Sequence, residues 1–490
     1  MTGLRTLACG LLAVALTGCA TYSERTQLAR DAAQSGNLVA SEKILNKFLK
    51  TKDSKDLPVK WQKETIVALL ERAMVLHARG DWQLSARDMG AADKQLVLLD
   101  IARDPGQIGK WIFSDSAGKY HAPPSEKLAL NAFNLLNYLM LGDLSGARVE
   151  AKRFTVTREY LATTDGGKDA HGAFGSYLAG FTYERLGEVE EALRYYDEAL
   201  QQADFASLRA PIARLAARSG FRTPRIRALL GEPEAPASPP TATLTTGVLA
   251  QAAAEPVPAT IPHPAPSASE MIAVVPLAPT AGELTGELLV VMNIGRVPLK
   301  IPERMPIGLA IGLGAAWITG DSTILQHSAL KFVIYPELAP SNALFNTGQL
   351  LVDGKEWPME LATNLDAEIV REYDALRPKI IGAAISRLIV RAAVAEGARA
   401  AGKQADGNAG AIVGLLAALA AEGALVAADK PDTRSWTLLP AFVFVTRVPV
   451  TPGKHTVTIT AAGNGGQERR EFTADVKPGG FVAVDVTTLR

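Results

Sequence analysis

The sequence predicts a multi-domain α + β protein: an N-terminal all-α helical-repeat domain, a Pro-rich linker, and a C-terminal β-sandwich-like domain with an α-helical insert. Three observations predict it. Residues 24–230 place Ala, Leu and charged residues at helical spacing around a turn that recurs four times. From Glu232 to about Ser269 the composition changes abruptly to Pro, Ala, Ser and Thr. Beyond Met271 the apolar runs are short, rich in β-branched residues and bounded by Gly, Pro and Asn. The expected boundaries are a leader at 1–18, helices at 19–230, a linker at 231–270 and the β-rich domain at 271–490, with its helical insert at 364–428. At 490 residues the chain exceeds one ordinary domain. Its 51 basic and 51 acidic residues cancel, so no overall basic field exists to hold nucleic acid.

The first residues read MTGLRTLACGLLAVALTGCA: Arg5 is basic, Leu7 to Leu16 form a short apolar run, and small residues follow. This is the pattern of a secretory signal, too short to be a stable membrane span. Its end, Leu16-Thr17-Gly18-Cys19, resembles the lipobox of bacterial lipoproteins. The resemblance implies cleavage before Cys19 and diacylglycerol on its thiol, with palmitate among the acyl chains. Two or more chains anchor stably where one does not. Ala20 stands where an Asp would favour retention in the inner membrane. Outer-membrane attachment facing the periplasm is therefore expected. The only two cysteines are Cys9 and Cys19, so processing leaves no free thiol, and thiol catalysis and zinc–thiolate sites are excluded.

The recurring turn is Gly36-Asn37-Leu38, Gly80-Asp81-Trp82, Gly142-Asp143-Leu144 and Gly187-Glu188-Val189. The last lies in SYLAGFTYERLGEVEEALRYYDEALQ, Ser176 to Gln201. With Leu178, Gly180, Tyr183, Ala192, Tyr196, Ala199 and Leu200 it resembles a tetratricopeptide repeat (TPR). Ser41, Ser85 and Ala147 occupy the small position in the weaker copies. The turns are 44, 62 and 45 residues apart, not the regular ~34 of that repeat, so insertions are expected. Such repeats present an inner face to peptides. Here that face would carry Phe174, Tyr177, Phe181, Glu184 and Arg185, a candidate peptide groove, with packing on neighbouring helices as the competing use.

The linker, about 40 residues, would span roughly 35 Å as a flexible coil, which predicts two halves on a tether. In the second half GELLVVMNI, ALKFVIYPEL, WTLLPAFVFVTRVPV, KHTVTITAA and GFVAVDVTTL read as strands. NLDAEIVREYDAL and KIIGAAISRLIVRAAVAEGARAAG read as helices, with Pro378 opening the second. Ala409 to Ala428 is about long enough to cross a bilayer, but Glu422 would be costly there, so a packed hairpin with Lys379 to Ala401 is expected. Met305 to Ile318 reads as buried strand and turn rather than a membrane-dipping loop.

No phosphate-cradling or dinucleotide motif is present, and the third glycine is missing after Gly312-Leu313-Gly314. The six histidines never approach ligand spacing, so neither a metal nor a cofactor is expected. What remains is Asp432-x-Arg434-x-Trp436, Leu439-Pro440 and Pro452-Gly453-x-His455. On a strand Asp432, Arg434 and Trp436 would share one side, with Asp and Arg paired and Trp436 as apolar anchor. Pro440 suits a strand edge, and Pro452-Gly453 suits a type II turn folding KHTVTI against AFVFVTRV as a hairpin. A Ser435, His455 and Asp432 triad would need assembly by folding, with nothing in the sequence to orient it.

This motif set resembles that of an uncharacterised family of bacterial TPR-like lipoproteins, with the same order of lipobox, strands and helical insert. In many genomes such proteins stand beside lipoproteins related to curli secretion factors and to activators of penicillin-binding proteins. The resemblance implies a non-enzymatic interaction scaffold in cell-envelope assembly, anchored through Cys19 and binding an envelope protein or peptide. A subunit of an envelope secretion or pore complex is the alternative, and a peptidoglycan-acting enzyme the third reading. The oligomeric state is left open.

Overall fold

The computed structural model describes residues 20–101, 120–163, 172–233, 285–320, 322, 332–403 and 430–490. Helices fill the N-terminal part: α1 Tyr22–Arg25, α2 Gln27–Gln34, α3 Leu38–Leu49, α4 Thr65–Ala78, α5 Trp82–Ile101, α6 Pro124–Met140, α7 Leu144–Ala162, α8 Ala173–Arg185, α9 Val189–Gln202, α10 Arg209–Ala216 and α11 Pro224–Leu230. From α2 to α9 they form four antiparallel pairs. Each pair turns on one backbone device. Gly36, Gly80, Gly142 and Gly187 have φ between 70° and 82°, a region open to Gly without a Cβ penalty. Each glycine N–H then bonds the carbonyl three residues back, and the next N–H bonds the carbonyl five back, which satisfies two free carbonyls at the helix end.

Five residues after each glycine sits a small, fully buried residue, Ser41, Ser85, Ala147 or Ala192. The Ser41 hydroxyl donates to Ala29 O at 2.8 Å and the Ser85 hydroxyl to Ala73 O at 2.9 Å. In the fourth pair a Cβ on Gly180 would lie 2.4 Å from the Tyr196 ring. The long connection between α3 and α4 is tied down by Arg72. Its fully buried guanidinium pairs with Asp88 at 2.7 Å and donates to Asn46 Oδ1 and Asp56 O.

The C-terminal part holds β1 Gly286–Ile294, β2 Leu299–Pro306, α12 Ile307–Gly314, β3 Phe332–Ala339, β4 Thr347–Val352, β5 Lys355–Trp357, β6 Glu360–Asn364, α13 Leu365–Lys403, β7 Phe442–Val450, β8 Gly453–Gly463, β9 Gly466–Val476 and β10 Phe481–Thr488. The first sheet has the order β10-β1-β7-β6, with β1 parallel to β10 and antiparallel to β7. The second, β5-β4-β8-β9, is antiparallel throughout. Leu288, Val290, Met292 and Ile294 of β1 share a core with Leu350, Val457, Ile459 and Val476 of the second sheet. Leu289 and Val291 point the other way and share the helices' core with Val443 and Val445. The molecule is thus three layers deep, and β1 is buried on both faces, which is why GELLVVMNI is a nearly unbroken apolar run. A smaller core joins the β2–β3 ribbon to α12 and to Ile381, Ala384, Ile385 and Leu388 of α13.

Several expectations change. The two parts are not bodies held apart by a tether, because one continuous core spans them. Residues 234–284, which include nearly all of the Pro-rich segment, lie outside the described residues, as do 409–428 and Cys19. Pro452-Gly453 does not fold β8 back on β7: the two strands belong to different sheets, and Gly453, at φ 137°, passes the chain between them. Pro378 does not open a helix but lies inside α13. The helix continues through it because both flanks are held: Tyr373 OH donates to Pro336 O at 2.6 Å, Arg377 pairs with Glu337 at 2.7 Å, and Ile381 and Ile385 are buried. Met305 to Ile318 is not buried strand and turn but the end of β2, then α12 and a 3₁₀ turn, with Leu309, Leu313 and Trp317 exposed.

The close approach of α8 and α9 gives a test. Gly180→Ala must push the Tyr196 ring and is expected to cost about 1–3 kcal/mol. At Gly90, in α5, an added Cβ meets nothing within 4 Å, so Gly90→Ala should be neutral or stabilising by up to ~1 kcal/mol. Urea unfolding of the two variants measures the contrast.

Candidate functional site

Asp432 to Leu439 is not a strand. It is an extended segment ending in a turn, driven into the helical part. Trp436 is fully buried among the helices' core residues. The Asp432–Arg434 pair forms, with Arg434 Nε donating to Asp432 Oδ1 and Nη2 to Oδ2, both at 2.7 Å. Arg434 Nη1 also donates to Lys63 O at 2.8 Å, which ties the segment to the helices rather than to a hairpin. Beyond the pair, two buried carboxylates receive the backbone. Glu71 of α4 accepts Thr437 N–H and Oγ1–H on Oε1, at 2.8 and 2.6 Å, and Leu438 N–H on Oε2 at 2.7 Å. Glu126 of α6 accepts Trp436 N–H at 3.0 Å and the Tyr120 hydroxyl. Burial pushes Glu71 up to about 7 against these hydrogen bonds, and raises Glu126 as well. Pro440 is buried just before β7.

Three further polar groups lock the helices to the C-terminal part. Arg447 of β7 is buried on the helix-facing side; it grips Glu287 of β1 at 2.6 and 2.7 Å, Glu184 of α8 at 2.7 and 3.0 Å, and Tyr196 OH at 2.7 Å. Burial alone would raise the Glu184 carboxyl, but the Arg447 charge outweighs it and holds the carboxyl well below the usual range. His77 of α4 donates from Nδ1 to Asn137 Oδ1 at 2.7 Å and faces Asp485 of β10 at 3.2 Å with Nε2. Burial would lower its pKa, and Asp485 outweighs that to raise it. Glu372 of α13 caps the start of α6 through Ser125 N–H and Oγ–H, at 2.8 and 2.7 Å, and burial lifts it to about 7.

The expected peptide groove is filled. Phe174, Tyr177 and Phe181 are buried to 4% exposure or less. Phe181 meets Phe481 of β10 edge to face at 5.0 Å, and Arg185 stacks over both rings while pairing with Glu287. Phe174 packs on Phe133 of α6 and Tyr177 on Phe205, the competing use, while the chain's own β-sheet covers Phe181 and Arg185.

Nor do Ser435, His455 and Asp432 assemble. His455 lies in the second sheet, its Nδ1 at 2.6 Å from Asp353 Oδ2 and its Nε2 at 2.6 Å from Thr451 O. Asp432 is engaged by Arg434, and the buried Ser435 hydroxyl bonds to neither. The Asp353 hydrogen bond raises the His455 pKa, and the imidazole ties the β4–β5 turn to the start of β8. Among the described residues no three His, Cys, Asp or Glu side chains cluster as a metal site, and no helix is long and apolar enough to cross a membrane.

Beside this junction a cavity of about 1010 Å³ opens between Ala20, the residues after α3 and the Lys430–Arg434 segment. Compared with known proteins, the chain matches no family model, no curated protein and no solved structure.

Sequence reasoning missed Glu71, Glu126, Arg447 and the His77–Asp485 contact. A signal existed for two of them. Glu71-Arg72 interrupts the otherwise apolar TIVALLERAMVL, and Arg447 interrupts FVFVTRVPV; charges inside such runs are costly unless paired.

Removing Glu71 strands three donors in the core, so Glu71→Ala is expected to lower stability by about 2–5 kcal/mol. Thr437→Val, which loses one hydroxyl bond, should cost only about 0.5–1.5 kcal/mol. Urea midpoints separate the two.

The pH dependence has a definite sign. Glu71 and Glu372 rise from 4.5 to about 7 on folding, so the folded state holds their protons more tightly. Their stabilising contribution is complete below about 4.5 and lost as pH rises through about 7. His77 and His455, raised above 6.5, act in the same sense. The unfolding free energy should be larger at pH 6 than at pH 8 by on the order of 1–3 kcal/mol. Glu71→Gln, fixed neutral, should flatten that slope in urea titrations at the two pH values.

Proposed function

We propose that the protein is a lipid-anchored scaffold of the bacterial envelope, held through Cys19 in the outer membrane and facing the periplasm. The four helix pairs are read as degenerate TPR-like units. That reading is supported by the shared spacing of five residues between each positive-φ glycine and its buried small residue. The observation that carries the scaffold reading is the use made of the polar signature. Asp432, Arg434 and Trp436, with Glu71 and Glu126, fasten helices and sheets into one body instead of converging on a substrate. With the inner face occupied, an envelope protein would bind outside, where Val149, Val156 and Tyr160 share one exposed side of α7.

A second reading, a subunit of an envelope secretion or pore complex, is favoured by one feature. Leu309, Leu313, Trp317 and Phe332 form an exposed apolar tip around α12.

Fractionation of Cys19→Ala decides between them. The scaffold reading expects the wild type in the outer-membrane fraction and the variant, made behind a leader that is cleaved without a lipobox, released in soluble form by a carbonate wash. A variant that resists the wash supports membrane entry at the tip, and a wild type that is already soluble removes the anchor. A photo-crosslinker at position 156 should give discrete adducts in intact envelopes that Val149→Glu abolishes; adducts unchanged by that substitution would rule out this face.

A further inference from the structure

We propose that the cavity beside Ala20 is a binding site for a phosphate ester with an apolar part, of which an anionic lipid headgroup is the favoured source. The chain is neutral overall, yet this cavity gathers six cationic side chains against two carboxylates. Both carboxylates are already engaged: Glu64 pairs with Arg25, and Asp432 with Arg434. That leaves Lys50, Lys60, Lys63 and Lys430 on the walls, and among the described residues no carboxylate pairs with any of them. Clustered lysines around a concave, partly apolar space attract anions and raise their local concentration.

The walls are built to hold shape. Arg434 is locked by Asp432 on one side and by Lys63 O on the other, so the floor is tied to the loop that supplies the lysines. Phe48 packs edge to face on the buried Tyr22 at 5.8 Å, and Arg25 lies over the Phe48 ring at 5.1 Å. The cavity therefore offers an aromatic wall beside a cationic one, which suits a ligand that is itself apolar at one end and anionic at the other.

Two features favour a lipid source over a free phosphate. At the rim Val59 is 94% exposed, next to Lys60 and close to Lys63; an apolar side chain among lysines suits the headgroup region of a bilayer. Ala20 lines the cavity and directly follows Cys19, so an anchor at that residue would put the mouth at the membrane surface. This choice of source rests on the lipid-anchored reading, whereas the phosphate chemistry does not.

The test uses the chain from residue 19 onward, made without the leader at 1–18 and with Cys19→Ala, so that binding is independent of acylation and of the leader. It is offered vesicles with about a third phosphatidylglycerol, vesicles of phosphatidylcholine alone, and soluble glycerol phosphate. Expected are flotation with the anionic vesicles only, and affinity at least about tenfold weaker when Lys50, Lys60, Lys63 and Lys430 are all changed to Gln. The lysines not at the fold's core should leave the melting temperature unchanged. Binding of glycerol phosphate that the four substitutions remove supports the site and assigns it to a soluble ester. Binding of neither probe, or anionic binding unchanged in the quadruple variant, overturns the proposal. Palmitate incorporation at Cys19 in cells is measured separately, so loss of the anchor and loss of the site remain distinguishable.

Discussion

The helix-facing side of the first sheet sets the terms for the rest of the molecule. Because the helices cover most of this side, the buried polar groups on it need partners from the helices or from the neighbouring strand. Arg447 and Glu287 are answered by Glu184, Tyr196 and Arg185, and Asp485 by His77. Leu289, Val291, Val443 and Val445 supply the apolar burial between these groups. The polar contacts fix the register of helices on sheet, since Arg447 cannot slide by one strand position without leaving a charge unpaired in the core.

The same demand explains the Asp432–Leu439 segment. It enters the helical layer as irregular backbone, and irregular backbone brings N–H groups that no ladder satisfies. Glu71 and Glu126 accept them, as Glu372 does at the start of α6. Each acceptor is a carboxylate from the opposite part of the chain. An interface made this way cannot open locally, because separating the layers would expose Trp436 and strand several donors at once.

Much of the fold was legible in the sequence. The four Gly turns, the small residues five positions on, and strands β1, β8 and β10 follow from local chemistry that tertiary contacts did not override. The Asp432–Arg434 pairing was also legible, because the residues are two apart in the chain. Its setting was not: extended geometry was inferred from alternation, whereas the segment's path is dictated by Glu71 and Glu126, more than 300 residues away. Strand pairing was the weakest inference. Pro452-Gly453 resembles a hairpin turn, and nothing local says that β7 and β8 enter different sheets. Charged β9, GQERREFTADV, was missed because an edge strand with a solvated side carries little apolar signal. By contrast Asp353-Gly354, with φ of 51° and 78° between β4 and β5, is a strong hairpin signal that went unread.

Occupation of the inner helical face by the chain's own sheet bears on what the helices can do. A peptide arriving there would compete with a ligand tethered in the same molecule, and linked ligands act at effective concentrations of about millimolar or more. It would also have to displace Phe481 from Phe181 and Arg185 from Glu287, exposing the face of β10 and β1 to water. A ligand shifts such an equilibrium only by its differential affinity for the open state, and the open state here has lost part of its hydrophobic core. Peptide capture on the inner helical face is thus disfavoured by the fold itself, and the surfaces that the closed body leaves open include the α7 stripe, the α12 tip and the lysine-lined cavity by Ala20.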